Sequence, residues 1–412
     1  MQETPIRPSS FLRLNLSRTL CLTALTVAIL PAEAGDWPRW HGPNVDAIST
    51  EQGWSVAAIK DGVKTLWQAE VGVGYSSMSV AKGRVYTMGN QDEQDSILCF
   101  AAETGKLEWK HTYACSPKDP NGYPGPRCTP TVEGGRVYSV SRRGHFFSLD
   151  AATGKVVWSK EFPKDYGAPV PQWGFAGSPL VEGNWVIAEV GGAGSSVVAF
   201  DKATGKEAWR AGDDTIGYSS IVPFDQKGER TLAVLSAKGI VGRKAKDGTE
   251  VWRFPWKTSY DVNAATPIVA DGTVFISSGY GTGCARVRFD TGEPKVLWQH
   301  KKMRNHVATC VLWKGYLYGF DESKLKCLDF QTGEEKWSED SYGKGSVFIA
   351  DGKLILYSDK GRVGVAEPNP ESFKELASAQ VLEGKDTWAV PVLANGRLYC
   401  RNLDHLVCLD VK

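Results

Sequence analysis

A unit reading Thr-Gly-Lys-x-x-Trp returns along the chain, and its spacing leaves few folds open. Its copies, such as Ala102-Glu103-Thr104-Gly105-Lys106 and Gln331-Thr332-Gly333-Glu334, end at Trp109, Trp158, Trp209, Trp252, Trp298 and Trp337. Counted from Trp67, successive tryptophans lie 42, 49, 51, 43, 46 and 39 residues apart. A repeat of about 40–50 residues is one blade of a β-propeller, a small sheet that cannot bury its faces until neighbours stack on it. Within each period four alternating apolar runs are separated by glycine turns, as in Thr129-Pro130-Thr131-Val132, Arg136 to Val140, His145 to Leu149 and Lys155 to Trp158. Inner strands are expected to start near Ser77, Thr129, Ser178, Ser219, Ala265, Ala308, Ser346 and Val390, which makes an all-β, eight-bladed propeller of four-stranded antiparallel blades.

The last blade, from Val390 through Val407-Cys408-Leu409, supplies only three strands. The orphan run Lys64-Thr65-Leu66-Trp67 fits the vacancy, so the ring closes by pairing an N-terminal outer strand with the C-terminal blade, which removes free sheet edges. The expected organisation is a signal peptide over 1–34, an N-terminal extension over 35–63 packing across the outside of the propeller, and the propeller over 64–412. The signal rests on Arg7, Arg13 and Arg18, the apolar run Leu20 to Leu30, and Ala32-Glu33-Ala34 as cleavage site. No later segment is apolar enough to span a bilayer, and an exported monomer, periplasmic, in the cell envelope or secreted, is expected.

A formal charge of +1 and no basic run argue against nucleic-acid binding. Of nine cysteines, Cys99, Cys327 and Cys408 share one slot in repeated strands and read as small buried residues, while Cys115 and Cys128, flanking a Pro/Gly-rich loop, are the pair to consider for a disulfide. No cysteine–histidine cluster has metal spacing, and no metal site is assigned.

The Thr-Gly-Lys-x-x-Trp units resemble PQQ-like (pyrroloquinoline-quinone) repeats, shared by bacterial quinoprotein dehydrogenases and the outer-membrane assembly protein BamB. Tyr123-Pro124-Gly125-Pro126-Arg127, Trp173-Gly174-Phe175, Trp256 to Asn263, Arg304-Asn305-His306 and the opening Trp37-Pro38-Arg39-Trp40-His41-Gly42-Pro43-Asn44 resemble a group of exported bacterial propellers. The resemblance covers nearly all of the chain after residue 34.

Residues that repeat from blade to blade pack and turn, so chemistry is sought where the copies diverge, just before each inner strand. That slot holds Tyr75-Ser76, Arg127, Trp173, Tyr218, Asp261 with Asn263, Arg304-Asn305-His306, Lys344 and Trp388. Gathered at one channel mouth they would form a polar and aromatic funnel for a small-molecule, polysaccharide or protein ligand. No hydrolase elbow, phosphate loop or zinc-protease motif is present. The resemblance to BamB implies a binding or scaffold module. The resemblance to quinoproteins implies the alternative, a PQQ-dependent alcohol or sugar dehydrogenase with calcium: Asp261 as base, Asn263 and Glu189 as metal ligands, Trp173 against the ring, Arg304 at its carbonyls. Against it, no two cysteines are adjacent, and the long insertions and haem domain of those enzymes are missing. A lyase or hydrolase acting on polysaccharide, with Arg304, His306 and Asp261 as its cluster, is the second alternative.

Overall fold

In the computed structural model, described over residues 1–2, 35–60, 62–118 and 122–412, the chain forms eight sheets, seven of four strands and one of five. The signal-peptide expectation falls on residues 1–34 and lies outside the described residues, apart from the first two. The innermost strands are Ser79–Ala81, Thr131–Glu133, Leu180–Glu182, Val222–Gln226, Ile268–Ala270, Val311–Trp313, Gly345–Ala350 and Val392–Ala394, each within a few residues of its expected start. Blades 1 to 8 are numbered in that order, and blades 1 to 7 are each built on four sequential antiparallel strands, so the all-β, eight-bladed reading holds. The N-terminal strand Thr65–Glu70 pairs with His405–Asp410, Trp67 opposite Cys408, and completes blade 8.

The repeated residues join the blades. The Trp indole of one blade donates to a carbonyl of the next: Trp67 to Ala102 at 3.0 Å, Trp109 to Ala151 at 3.0 Å, Trp158 to Lys202 at 3.2 Å, Trp298 to Phe330 at 3.1 Å. The glycine of each Thr-Gly turn explains itself here. Gly105 has φ +69°, and a Cβ on it would lie 2.6 Å from the Trp67 ring. Nearer the axis, inner-strand hydroxyls take over the bridging: Thr131 donates to Pro179 O at 2.6 Å, Ser77 to Val390 O at 2.5 Å, and Ser79 to Pro130 O. Trp109→Phe removes one indole bond but leaves Ala151 O the Tyr86 hydroxyl at 3.4 Å, so a loss of about 1 kcal/mol is expected in denaturant unfolding.

The extension departs from the expectation. Residues 36–49 do not lie outside the ring; they cross its channel as a strap. Trp37 pairs with Val80 of blade 1, Pro38 O accepts from Val132 N of blade 2 at 2.8 Å, and Arg39 reaches Val181 O of blade 3 and Glu133. Trp40 Nε1 donates to Thr266 Oγ1 at 2.9 Å beside blade 5, and Ile48–Ser49 adds a parallel fifth strand to the inner edge of blade 7. The cause is apolar burial: Trp37, Val45 and Ala47 are buried against inner strands. To wind this tightly the strap holds His41, Val45 and Ala47 near φ +60°, a cost of about 1–3 kcal/mol each that the surrounding packing must offset. Beyond it, Glu51 caps the Asn395-Gly396 turn of blade 8 as the chain moves out to its edge strand.

Cys115 and Cys128 do not form a disulfide. All eight described cysteines are free and buried, and burial pushes both thiols up to about 12. Cys128 Sγ instead accepts from Val140 N at 3.4 Å.

Candidate functional site

The segments that lead into the inner strands meet at the mouth opposite the strap's entry. Between them lies a funnel of about 960 Å3, open solvent at its mouth included. Tyr75 of blade 1 stacks on Trp388 of blade 8 with ring centroids 5.1 Å apart, and Tyr123 stands 5.2 Å from the same indole. On the far side Trp173 meets Tyr218 edge to face at 5.8 Å and Tyr260 at 6.0 Å; Tyr260 meets Tyr280 at 5.7 Å, and Tyr280 meets His306 at 4.8 Å. Arg127 lies 5.7 Å over the Tyr75 ring and donates to Gly125 O and Tyr123 O. The indole of Trp40, carried by the strap, lines the funnel from the channel side beside Ser178, Ser220 and Thr266.

Local sequence fixes this ring. Tyr280 occupies a tight turn between Gly279 and Gly281 at φ +51°, and a Cβ on Gly279 would lie 3.1 Å from His306. Tyr260 and Asp261 are consecutive left-handed residues, at +62° and +58°, and Tyr260 stays 64% exposed at the rim. Such strain is retained where surrounding structure enforces it, and it clusters at binding sites.

Of the residues expected in the funnel, Arg127, Trp173, Tyr218, His306 and Trp388 line it together with Tyr75, and Lys344 lines a side notch next to it. Four others stand elsewhere. Asn263 is buried; its amide donates to Ser236 O and Trp256 O, and its oxygen accepts from Ser278. Asn305, also buried, donates to Phe320 O. Arg304 forms a two-pronged ion pair with Asp321, at 2.6 and 3.0 Å, which Lys326 joins at 2.9 Å. Asp261 is exposed and does not line the funnel. Arg304, His306 and Asp261 therefore do not form one cluster. Trp40, Tyr123 and Tyr280 join the site without having been expected there; the aromatic residue between two glycines was the only local signal for Tyr280.

Electrostatically the funnel is quiet. Burial, with the Lys344 ammonium adding to it, holds the His306 imidazole below its usual pKa, against a smaller opposing pull from Glu322. His306 Nδ1 and Trp388 Nε1 are shielded from solvent and have no hydrogen-bond partner. Behind the wall, Glu189 has both carboxylate oxygens shielded and without hydrogen bonds of good geometry; burial, reinforced by Asp214 and partly offset by the facing Gly217 N–H, pushes its pKa up to about 8.

Fold and site together define an eight-bladed propeller of PQQ-like repeats with an aromatic funnel closed by an N-terminal strap. The family model described as "Outer membrane protein assembly factor BamB" matches residues 44–161 and 94–339, and the chain belongs to that family. It is 24% identical over 258 residues to the outer membrane protein assembly factor BamB of Moranella endobia, covering 57% of this chain and 62% of the relative. It is 33% identical over 142 residues to the 1-butanol dehydrogenase (quinone) of Thauera butanivorans, covering 30% of this chain and only 22% of that enzyme. The chain thus spans under two thirds of the first and about a fifth of the second. A BamB of Burkholderia pseudomallei is matched over 82% of this chain and 84% of its own length at 26% identity. Among solved structures, BamB from Moraxella catarrhalis superposes with TM-score 0.61 at 15% identity, covering 85% of this chain and 98% of that one. A europium-containing methanol dehydrogenase superposes with TM-score 0.67 at 11% identity, covering 89% of each chain. At these identities the structures speak for the fold alone.

Proposed function

We propose that the protein is an exported, non-catalytic binding propeller of the bacterial cell envelope, holding a ring-bearing ligand in the aromatic funnel. The observation that carries this reading is the continuous set of aromatic walls, from Tyr75 and Trp388 to Trp173 and Tyr218, around a cavity large enough for a ring. Export is supported by the basic, apolar and small-residue pattern of residues 7–34, and an envelope setting by the family to which the chain belongs. Among the described residues no helix is long and apolar enough to cross a membrane.

The quinone–calcium group that quinoprotein relatives bring to mind does not fit these residues. Among the described residues no three His, Cys, Asp or Glu side chains come together, and Asn263 spends its whole amide on protein partners. Asp261, the expected base, does not line the funnel. The polysaccharide lyase or hydrolase reading loses its cluster in the same way, because Arg304 is bound to Asp321.

Titration of tryptophan fluorescence with sugars, quinones and aromatic acids tests the proposal. Saturable quenching by a ring compound is expected, weakened about tenfold in Tyr75→Ala and in Trp173→Ala, whose melting stays close to the parent's. Calcium-dependent PQQ binding accompanied by dye reduction on alcohols, or quenching indifferent to both variants, would sink it.

A further inference from the structure

The funnel is not round. Between blades 6 and 8 its wall opens into a notch of about 300 Å3, mouth included, which shares His306, Val307 and Trp388 with the funnel. The opening follows from the sequence. Only residues 340–344 separate the outer strand Glu335–Glu339 of blade 6 from the inner strand of blade 7, whereas 115–130 separate blade 1 from blade 2 and carry Tyr123 inward. The strand of blade 7 also begins at Gly345, where a Cβ would lie 2.7 Å from the Phe320 ring, so no side chain fills the gap.

The notch has an apolar back of Val307, Ala308 and Phe320 and four polar functions. Lys344 and Glu322 line it without an ion pair to any described residue, while Trp388 Nε1 and His306 Nδ1 are shielded from water and unpartnered. Because those two nitrogens are sealed, Lys344 and Glu322 are the polar groups a ligand in the notch would meet. Charge decides which kind. A carboxylate or phosphate that paired with Lys344 would meet Glu322 in the same small space, and an ammonium would meet the reverse problem. A neutral amide suits both groups: its carbonyl accepts from Lys344, its N–H donates to Glu322, and its methyl lies against Phe320.

The ring bearing that amide stacks on the funnel aromatics and meets the hydroxyl-bearing floor of Ser178, Ser220 and Thr266, which suits a pyranose with its polar edge and C–H faces. We infer that the funnel binds an N-acetylhexosamine unit of a glycan, with the notch as its acetamido subsite. The inference rests on the ring-binding function proposed above and narrows it to one substituent.

Calorimetric titration of the full chain with the N-acetylglucosamine trimer, and with the glucose and glucuronate trimers as controls, tests it. The acetylated trimer is expected to bind at least tenfold tighter than the glucose trimer. Lys344→Ala and Glu322→Ala are each expected to erase most of that preference while changing affinity for the glucose trimer less than twofold. Equal affinity for the two neutral trimers, a tighter glucuronate trimer, or a preference untouched by both variants overturns the acetamido subsite and leaves ring binding standing. No binding of any sugar, with Tyr75-dependent quenching seen only for aromatic acids or quinones, also overturns it. No Tyr75-dependent binding of any ring compound overturns both readings.

Discussion

Arg401→Met is expected to destabilise the propeller by about 3–5 kcal/mol, more than any other single side chain in its closing seam. Arg401 stands at the end of the second strand of blade 8 with no measurable exposure. Its guanidinium donates to Ser76 O and Gly72 O at 3.0 Å and to Thr87 Oγ1 at 2.8 Å, with Met88 O, Leu403 O and Asn402 O as further acceptors. Four of these acceptors belong to blade 1 or the segment leading into it, so one cation fastens the last blade to the first. Burial draws its pKa down to about 9, a sign of the desolvation these bonds must offset, with the Asp404 carboxylate pulling the other way. Methionine relieves that desolvation but takes the guanidinium donor from Gly72 O, Met88 O and Ser76 O, the last keeping the Thr87 hydroxyl at 3.4 Å; at about 1–3 kcal/mol for each unmet carbonyl, loss outweighs relief. Urea unfolding of parent, Arg401→Met and Arg401→Lys gives the order parent, Lys, Met. A methionine variant as stable as the parent would show that burying the cation costs as much as its bonds return.

The seam also shows where sequence stops being informative. Blade count, inner-strand starts and the pairing of Thr65–Glu70 with the C-terminal blade were legible because they repeat, and because an unpaired edge in a ring has one available partner. Arg401 was not legible. Its neighbours in the repeat are ordinary strand residues, and only the three-dimensional seam gathers carbonyls around it. The strap was misread for a related reason: Trp37 and Trp40 look equally suited to covering the outside of a blade, and the choice of the channel depends on inner-strand faces that no local pattern displays.

For the funnel, the divergent slot before each inner strand brought Tyr75, Arg127, Trp173, Tyr218, His306 and Trp388 into view. A shift of one or two positions decides whether a residue faces the channel or pins a loop. Asn263 and Asn305 fall on the pinning side, each amide tying its loop to backbone elsewhere, Ser236 O for Asn263 and Phe320 O for Asn305. Tyr280 lies in the turn between second and third strands of blade 5, which also meets this mouth but is not part of the slot before an inner strand.

Glu189→Gln is expected to stabilise the protein at alkaline pH, by roughly 4 kcal/mol at pH 8, and to leave it unchanged at pH 4. The two carboxylate oxygens at the end of Trp185–Glu189 are sealed from water, and burial together with Asp214 lifts the folded-state pKa from 4.5 to about 8. Because the folded state holds the proton more tightly than the unfolded chain, stability is full below pH 4.5 and is lost as pH rises toward 8. At about 1.36 kcal/mol per pKa unit the full span approaches 5 kcal/mol, and a little less than that is reached at pH 8, where the folded-state carboxyl is half ionised. Other groups titrate across the same range, so the quantity to read is the difference between parent and variant in denaturant unfolding at each pH. That difference is expected to be near zero at pH 4 and to grow steadily from pH 5 to pH 8. A difference that stays flat would mean that the carboxyl reaches water or a donor in solution, and that the wall behind Trp173 and Tyr218 opens more than the folded structure shows.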